Sequence, residues 1–288
     1  MKKKKHRLLL LFAVIVAVAV YAYLNRQPEP SYSKSVQDVP PFSGEPYVVI
    51  NDNKPEFTED DLTTEAYELY SELDRLGRCG YAMACVGREL MPTEDRGNIG
   101  QVKPSGWQTS KYDFVDGKYL YNRCHLIGFQ LTGENANEKN LITGTRFLNL
   151  EGMLPFENMI ADYIKETNNH VLYRVTPIFD GENLVARGVQ MEALSVEDAG
   201  EEICFHVYVY NNQPGVIIDY KTGENRVDES VVKNGQSGEY ILNTNSKKFH
   251  TSDCQQASSI NDGNKQTYSG SRELLIIQGY APGSCCKP

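Results

Sequence analysis

The chain has 288 residues, of which 40% are hydrophobic, enough for one sizeable core and a smaller unit beside it. Residues 1–26 hold six basic and no acidic side chains, so the net charge of −9 becomes −15 over the remaining residues. Because sequence-independent binding of nucleic acid depends on Lys and Arg displacing counterions, this acidic body argues against a coating or storage protein. An enzyme that needs only a local basic patch is compatible with it.

The N-terminus has the pattern of a targeting segment. A basic stretch, Lys2–Arg7, precedes the apolar run Leu8–Leu24. The run is at the short end for a membrane span, which usually takes about 20 residues. Val20-Tyr21-Ala22 also matches a small-x-small cleavage pattern. Residues 1–26 are therefore a signal anchor or a cleaved signal peptide. The basic end favours a body outside the cell, either secreted or held at the extracellular face of the membrane.

The next segments predict a tether and the first folded elements. Residues 27–57 are rich in Pro, Ser, Asp and Glu and predict a flexible tether, with a short strand at Tyr47–Ile50 near its end. Apolar residues at helical spacing over Asp60–Arg75 predict a helix that ends before Gly77. Cys79–Leu90 is predicted to form a strand.

The central part of the chain mixes strands with one long helix. Tyr119–Cys124 alternates and predicts a strand, and the apolar pattern after Asn149 predicts a helix. Pro155 has no amide donor, so the regular helix either begins near it or bends there. Intermixed elements of this kind predict an α+β domain. Four strand candidates follow the helix: His170–Pro177, Leu184–Ala193, Glu202–Tyr210 and Val216–Ile218.

Four residues in this part form a set suited to metal-assisted attack by water. His125 titrates where a general base works best, and Arg123 stands two residues before it. The amide oxygen of Asn149 suits Mg²⁺, which takes few protein oxygens, and Glu157 adds a carboxylate eight residues later. Each residue also has a structural alternative. For Asn149 it is a helix N-cap, and for Glu157 a solvated helix carboxylate.

The ordered set resembles a known family. The chain reads Asn122-Arg123-Cys124-His125, and Asn140 and Asn149 follow at an Asn-x8-Asn spacing, with Glu157 eight residues beyond. This pattern resembles the DNA/RNA non-specific endonucleases of the ββα-metal class, most closely the secreted nucleases of Gram-positive bacteria. That family has Asp-Arg-Gly-His in the first element, so Asn122 replaces Asp and Cys124 replaces Gly. These two departures affect the surroundings of the site more than its base or its ligand.

The resemblance implies a fold, a reaction and a role for each residue. It implies an α+β domain over residues 58–226, with a ββα-metal core on a mixed, mainly antiparallel sheet. The implied activity is hydrolysis of DNA, and of RNA as a further substrate, to 5′-phosphate ends with Mg²⁺ or Mn²⁺. His125 would be the general base, Asn149 the metal ligand and Arg123 a phosphate contact. Glu157 would hold a metal-bound water in place.

Arg96 is a further candidate for substrate binding. It precedes His125 by about the distance at which the family places a second arginine that contacts phosphate. The alternative is a solvated loop arginine, which is the commoner state of an isolated Arg.

The C-terminal part changes character. Residues 227–239 predict a polar linker, and residues 240–288 a small Cys/His module. The module resembles the zinc domain of Ada-type methyl acceptors, with His250, Cys254, Cys285 and Cys286 as candidate Zn²⁺ ligands. Gly283 stands where that family has a cysteine, so a disulfide of Cys254 with Cys285 or Cys286 is the alternative to zinc. Seven cysteines are an odd count, so at least one thiol is free or pairs between molecules.

Two other functions compete with the nuclease. One is a surface-tethered receptor in which a degenerate nuclease fold binds nucleic acid without cutting it. The other is a metal-dependent hydrolase of other phosphodiesters. The set of His125, Asn149 and Glu157 speaks against the receptor, and the resemblance alone speaks against the other hydrolase. We predict no protein partner, and a membrane contact only through residues 1–26 if they remain attached.

Overall fold

The computed structural model describes residues 39–228, 230 and 237–283. The predicted targeting segment 1–26 and the first part of the predicted tether lie outside these residues. Within them, the helices are all too short or too polar to cross a membrane.

A six-stranded sheet is the frame of residues 39–228, and all of its neighbouring strands are antiparallel. The strands, in chain order, are β1 Tyr47–Val49, β2 Tyr67–Tyr70, β3 Ala82–Val86, β4 Tyr121–His125, β5 Leu141–Thr145, β6 Val171–Ile178, β7 Gly188–Ser195, β8 Cys204–Tyr210, β9 Val216–Ile218 and β10 Asn225–Val227. The large sheet has the order β1-β8-β7-β6-β3-β2, while β4 pairs with β5 and β9 with β10, each antiparallel.

Two α-helices belong to this part, the short α1 Phe129–Thr132 and the longer α2 Leu154–Thr167. The main core lies between one face of the sheet and α2. Tyr173 of β6 and Val207 of β8 pack there with Ile160 and Ile164 of α2 and with Leu126, which follows β4. Because this core is continuous, it holds the β4-β5 hairpin and α2 in a fixed arrangement on the sheet.

The end of the predicted tether is folded onto the domain. β1 extends the large sheet by pairing with β8, with Val48 opposite Tyr208. The ring of Phe42 packs edge-on against Tyr210, with 5.5 Å between centroids. The flexible stretch predicted for residues 27–57 therefore does not extend to residue 57.

The helix predicted over Asp60–Arg75 is wrong. A 3₁₀ turn that begins after Thr58 occupies its start, and β2 follows with Tyr67 opposite Cys85 of β3. Tyrosines favour a pleated, half-buried surface, and pairing with β3 outweighs a loose helical spacing.

The other elements agree with the sequence predictions. The strands assigned before residue 220 are present, with shifted ends, and Val216–Ile218 is found as predicted. The regular helix begins at Leu154, with Pro155 in its first turn. The predicted α+β fold class is confirmed.

The C-terminal residues form a second, smaller sheet with its own core. Its elements are β11 Ser237–Asn243, β12 Lys248–Thr251, α3 Gln255–Ser258, β13 Lys265–Ser271, α4 Arg272–Ile277 and β14 Ala281–Pro282. The strand order is β13-β11-β12-β14, with β12 and β14 parallel. Tyr240, Leu242, Phe249, Leu275 and Tyr280 form the buried cluster.

His170 at the start of β6 predicts a pH-dependent contribution to stability. Burial alone would lower its pKa, but hydrogen bonds with Glu197 (2.6 Å) and Glu89 (3.2 Å) outweigh burial and raise the pKa. Because the pKa of His170 is higher in the folded than in the unfolded protein, protonation of its ring stabilises the fold. This stabilisation is complete below the unfolded-state pKa of about 6.5 and is lost as the pH rises through the folded-state pKa. Urea unfolding of the wild type and His170→Gln should therefore differ most at about pH 6 and converge above neutral pH. A difference that does not change with pH would contradict this account.

Candidate active site

The β4-β5 hairpin and α2 form one continuous unit, strand, strand and helix, that carries the predicted site residues. His125 ends β4 and pairs with Leu141 of β5. Asn140 just before β5 is fully buried, and its amide bonds both the N–H (2.9 Å) and the C=O (3.0 Å) of Ile127. Asn140, the first Asn of the Asn-x8-Asn motif, thus fixes the chain directly after His125.

Both ring nitrogens of His125 are engaged. Nε2 lies 2.8 Å from the carbonyl oxygen of Asn135, and Nδ1 lies 3.2 Å from Nη2 of Arg96. A carbonyl only accepts a hydrogen bond and a guanidinium only donates, so the two partners select the same tautomer. Nε2 carries the proton, and Nδ1 presents the lone pair that a general base requires.

The imidazole of His125 is neutral at neutral pH. Its side chain is 6% exposed, and burial lowers its pKa to about 4, with the positive charge of Arg96 acting in the same direction. The hydrogen bond to the Asn135 carbonyl opposes this shift because it stabilises the protonated ring.

Glu157 is a buried carboxyl group that, like His125, is influenced by the charge of Arg96. Burial raises its pKa to about 7, while Arg96 lowers it. Its carboxyl group lies against Gly128, where an added Cβ would approach the three carboxyl atoms to 2.6–2.9 Å. Among the residues that the structure describes, Glu157 has no hydrogen-bond partner. The carboxyl group is held by packing, and its charge requires a cation or water.

Asn149 lies in a π-helical turn, Leu148–Met153, that precedes α2. In a regular α-helix, Asn149 and Glu157 would be offset by roughly 80° after eight residues. A turn closed by i→i+5 hydrogen bonds rotates less per residue, so it brings Asn149 closer to the line of Glu157. Within the described part of the chain, the half-buried Asn149 side chain makes no hydrogen bond, and Phe147 has the N-cap position. The N-cap alternative for Asn149 therefore does not apply.

Three side chains in this part of the chain have oxygen atoms of the kind that a hard divalent cation binds. Asn149 and Glu157 have free side-chain oxygens, and Oδ1 of Asn135 is buried with no hydrogen-bond partner in the described residues. Mg²⁺ is bound by one or two such oxygens and keeps several waters. Residues 39–228 and 237–283 contain no group of three or more His, Cys, Asp or Glu side chains that could hold a metal ion. A site built on a single Asn ligand does not require such a cluster.

Arg123 is held against the preceding loop. Its Nε donates to the carbonyl of Val102, and its Nη2 donates to that of Gly100 at 2.8 Å. The guanidinium lies over the ring of Trp107, 4.0 Å from its centroid. The side chain is half-buried and has no carboxylate partner among the described residues, so its charge remains available to a phosphate.

The two departures from the family motif have partners of their own. Oδ1 of Asn122 accepts a hydrogen bond from Nη1 of Arg146 at 3.1 Å. The same arginine forms an ion pair with Asp116. Cys124 is fully buried, and a Cβ added at Gly144 of β5 would overlap its Sγ. The thiol of Cys124 thus fills the space left by Gly144.

This packing predicts a compensating pair of substitutions. Gly144→Ala should destabilise the protein by about 1–3 kcal/mol because the added methyl group also approaches Leu148 to 2.8 Å. Adding Cys124→Gly should restore most of the loss because it removes the obstructing thiol. Urea unfolding of both single variants and the double variant measures the coupling. Strictly additive effects would show that the two residues do not share this space.

Sequence reasoning missed two contributors. Asn135 contacts His125 through its backbone carbonyl, which the identity of the side chain does not reveal. Gly128 makes room for Glu157, and its role depends on the approach of α1 to α2. The spacing of Arg96 from His125 predicts a phosphate contact, and the structure places its Nη2 3.2 Å from Nδ1 of His125.

The candidate zinc residues of the C-terminal unit are only partly described. Sγ of Cys254 lies 3.6 Å from Nδ1 of His250, and Cys254 is disulfide-bonded. Cys285 and Cys286 lie outside the described residues. A Cβ at Gly283 would overlap the ring of His250, so the position where the Ada-type family has a cysteine has no room for one here. The disulfide of Cys254 favours the disulfide alternative over a zinc site in this unit.

The chain is similar to known nucleases. Residues 58–197 match the family model of DNA/RNA non-specific endonucleases. A deoxyribonuclease of Streptococcus dysgalactiae subsp. equisimilis is 33% identical over 110 residues, which are 36% of this chain and 32% of that protein. The chain therefore spans about a third of the length of this curated relative.

Solved structures share the fold. NucA from Streptococcus agalactiae, with a magnesium ion bound, has a TM-score of 0.59 and 24% identity, over 67% of this chain and 92% of its own. The Sda1 nuclease, with a bound zinc ion, has a TM-score of 0.53 and 26% identity, over 64% and 97%. Residues 58–197 thus belong to the DNA/RNA non-specific endonucleases, a family of divalent-metal-dependent enzymes. The nuclease family and the fold class predicted from the sequence are confirmed for this part of the chain.

Proposed function

We propose that the protein is a Mg²⁺-dependent endonuclease that hydrolyses phosphodiester bonds of DNA, and of RNA, to 5′-phosphate ends. The observation that carries this proposal is the fixed tautomer of His125, between the Asn135 carbonyl and Arg96. A neutral imidazole with a directed lone pair is the form that can take a proton from water.

In this mechanism, His125 accepts the proton of the attacking water at Nδ1. Arg96 lies at that nitrogen, so it has to move, and a substrate phosphate offers its guanidinium a stronger, charge-assisted partner. The transfer would uncover Nδ1 and remove a positive charge that lowers the pKa of His125. Arg123 is held in place by Gly100 and Val102 and would contact a non-bridging phosphate oxygen.

The cation would be held by Asn149, with Glu157 positioning a water beside it. When bound, Mg²⁺ neutralises charge that develops on the phosphate and stabilises the departing 3′ oxygen. The magnesium ion bound to NucA supports this choice, and the structure of Sda1 contains a zinc ion instead. Mn²⁺ has the same preference for oxygen ligands and is expected to substitute.

Export is part of the proposal. The basic and apolar N-terminal pattern supports a targeting segment, and the disulfide of Cys254 supports an oxidising compartment. Both fit a nuclease that acts outside the cell, secreted or anchored.

A substrate panel tests the reaction class. The protein is incubated with duplex DNA, single-stranded DNA, RNA and a small aromatic phosphodiester, each with Mg²⁺ and with EDTA. Cleavage of the polynucleotides, with products that a ligase joins without prior phosphorylation, is the expected result. Turnover of the small diester alone would favour a hydrolase of other phosphodiesters and would overturn the proposal.

A further inference from the structure

An exposed tyrosine lies where the chain enters the strand that carries Arg123 and His125. Tyr119 is 48% exposed, and it forms an isolated antiparallel bridge with Lys111. The Lys111 ammonium group lies 4.4 Å from the centre of its ring. The next residue, Leu120, is fully buried, and its N–H donates to the carbonyl of Ser110 at 3.0 Å. The backbone is thus fixed while the aromatic ring faces solvent.

The charge of Lys111 is uncompensated. By contrast, two other cations pair with carboxylates of residues 111–119: Lys118 with Asp113 at 3.0 Å, and Arg146, which follows β5, with Asp116 at 2.8 Å. Lys111 has no carboxylate partner among the residues that the structure describes. An unpaired lysine attracts an anionic group, and an exposed aromatic ring can stack against a flat one. Together they favour a ligand that carries both groups.

A second pair of the same kind lies closer to His125. Arg123 stacks on Trp107 with 4.0 Å between the guanidinium carbon and the ring centroid. At about 3.3 Å per extended residue, Arg123 is roughly 7 Å from His125 along the chain, and Tyr119 is at most about 20 Å away. Two cation–aromatic pairs therefore occur in series along the chain leading to His125, within reach of a few nucleotides of an extended strand.

We propose that Tyr119 and Lys111 form a subsite for one nucleotide of a single-stranded nucleic acid. The base stacks on the ring of Tyr119, and Lys111 contacts the adjoining phosphate. Every base has an aromatic face, so such a platform binds without base preference, as proteins that bind single strands do. In a duplex the faces are already stacked on their neighbours, so the subsite favours single strands. This inference rests on the proposed nuclease function and assigns part of its substrate path.

Binding in EDTA tests the subsite without requiring cleavage. The affinity of the full chain for a fluorescein-labelled single strand of 20 nucleotides is measured by anisotropy, beside the duplex of the same sequence. Tyr119→Ala should weaken single-strand binding by about fivefold to 20-fold and duplex binding by less than about twofold. Tyr119→Phe keeps the ring and should bind as the wild type does. Tyr81→Ala removes another exposed tyrosine, which is 39% exposed, and should change neither affinity.

Lys111→Gln separates the phosphate contact from the stacking. It should weaken single-strand binding by about threefold and reduce the slope of log affinity against log salt by about 0.7, the loss of one phosphate contact. An unchanged slope would remove Lys111 from the subsite.

Two results would overturn the proposal. One is wild-type affinity of Tyr119→Ala for the single strand. The other is an equal loss of single-strand and duplex binding, which would indicate a general effect on the surface. Cleavage of plasmid by the wild type reports on the nuclease function separately. If the wild type cleaves plasmid and Tyr119→Ala binds the single strand normally, the nuclease function stands and only the subsite is rejected.

Discussion

Replacing His125 by alanine is expected to lower the rate of DNA cleavage by about 10²–10⁴-fold, the usual contribution of a general base. The ring of His125 is the proton acceptor held between the Asn135 carbonyl and Arg96, and alanine offers no lone pair in its place. Initial rates of cleavage on duplex DNA at saturating Mg²⁺ measure the effect.

The control for His125→Ala is a measurement that its fold is unchanged. His125 is at the end of β4, and the pairing of β4 with β5 uses backbone groups that alanine retains. We expect an unchanged circular dichroism spectrum and unchanged Mg²⁺ binding. Activity within about tenfold of the wild type would show that another group accepts the proton, and the assignment of His125 would be wrong.

Replacing Asn149 by alanine is the second large effect. A bound cation contributes several kcal/mol to the transition state, so its loss should lower the rate at a fixed, modest Mg²⁺ concentration by about 10³-fold. The side chain of Asn149 makes no hydrogen bond in the described part of the chain, so its removal should cost little stability. The rate as a function of Mg²⁺ concentration measures the effect, with Asn149→Asp as the matched variant because it keeps an oxygen ligand.

The dependence on Mg²⁺ distinguishes a ligand from a structural residue. If Asn149 binds the ion, Asn149→Ala should require far more Mg²⁺ for half-maximal rate, and Asn149→Asp should retain measurable activity at the wild-type Mg²⁺ range. A drop in rate with no change in the Mg²⁺ requirement would assign Asn149 a role other than metal binding.

Local patterns predicted the parts of the site that depend on neighbouring residues. The strand that ends at His125 and the helix that begins near Pro155 follow from short-range periodicity and from the missing amide of proline. The spacing of Asn140, Asn149 and Glu157 indicated the family because it resembles the motif of that family.

The remaining features depend on contacts that are distant in sequence. The carbonyl of Asn135 reaches His125 across a loop, and Gly128 makes room for Glu157 only because α1 approaches α2. Pairing of β2 with β3 replaced the helix expected over Asp60–Arg75. The buried, exact fit between Cys124 and Gly144 is also a tertiary property, which explains how Cys can stand where the family has Gly.

Incubation of the wild-type protein with supercoiled plasmid, across a Mg²⁺ titration that includes EDTA, measures the proposed nuclease activity itself. We expect Mg²⁺-dependent conversion to open-circular and then linear DNA, no conversion in EDTA, and loss of conversion in His125→Ala. If the protein binds the plasmid but leaves it supercoiled at every Mg²⁺ and Mn²⁺ concentration, it is not an endonuclease, and a nucleic-acid receptor with a nuclease fold is favoured.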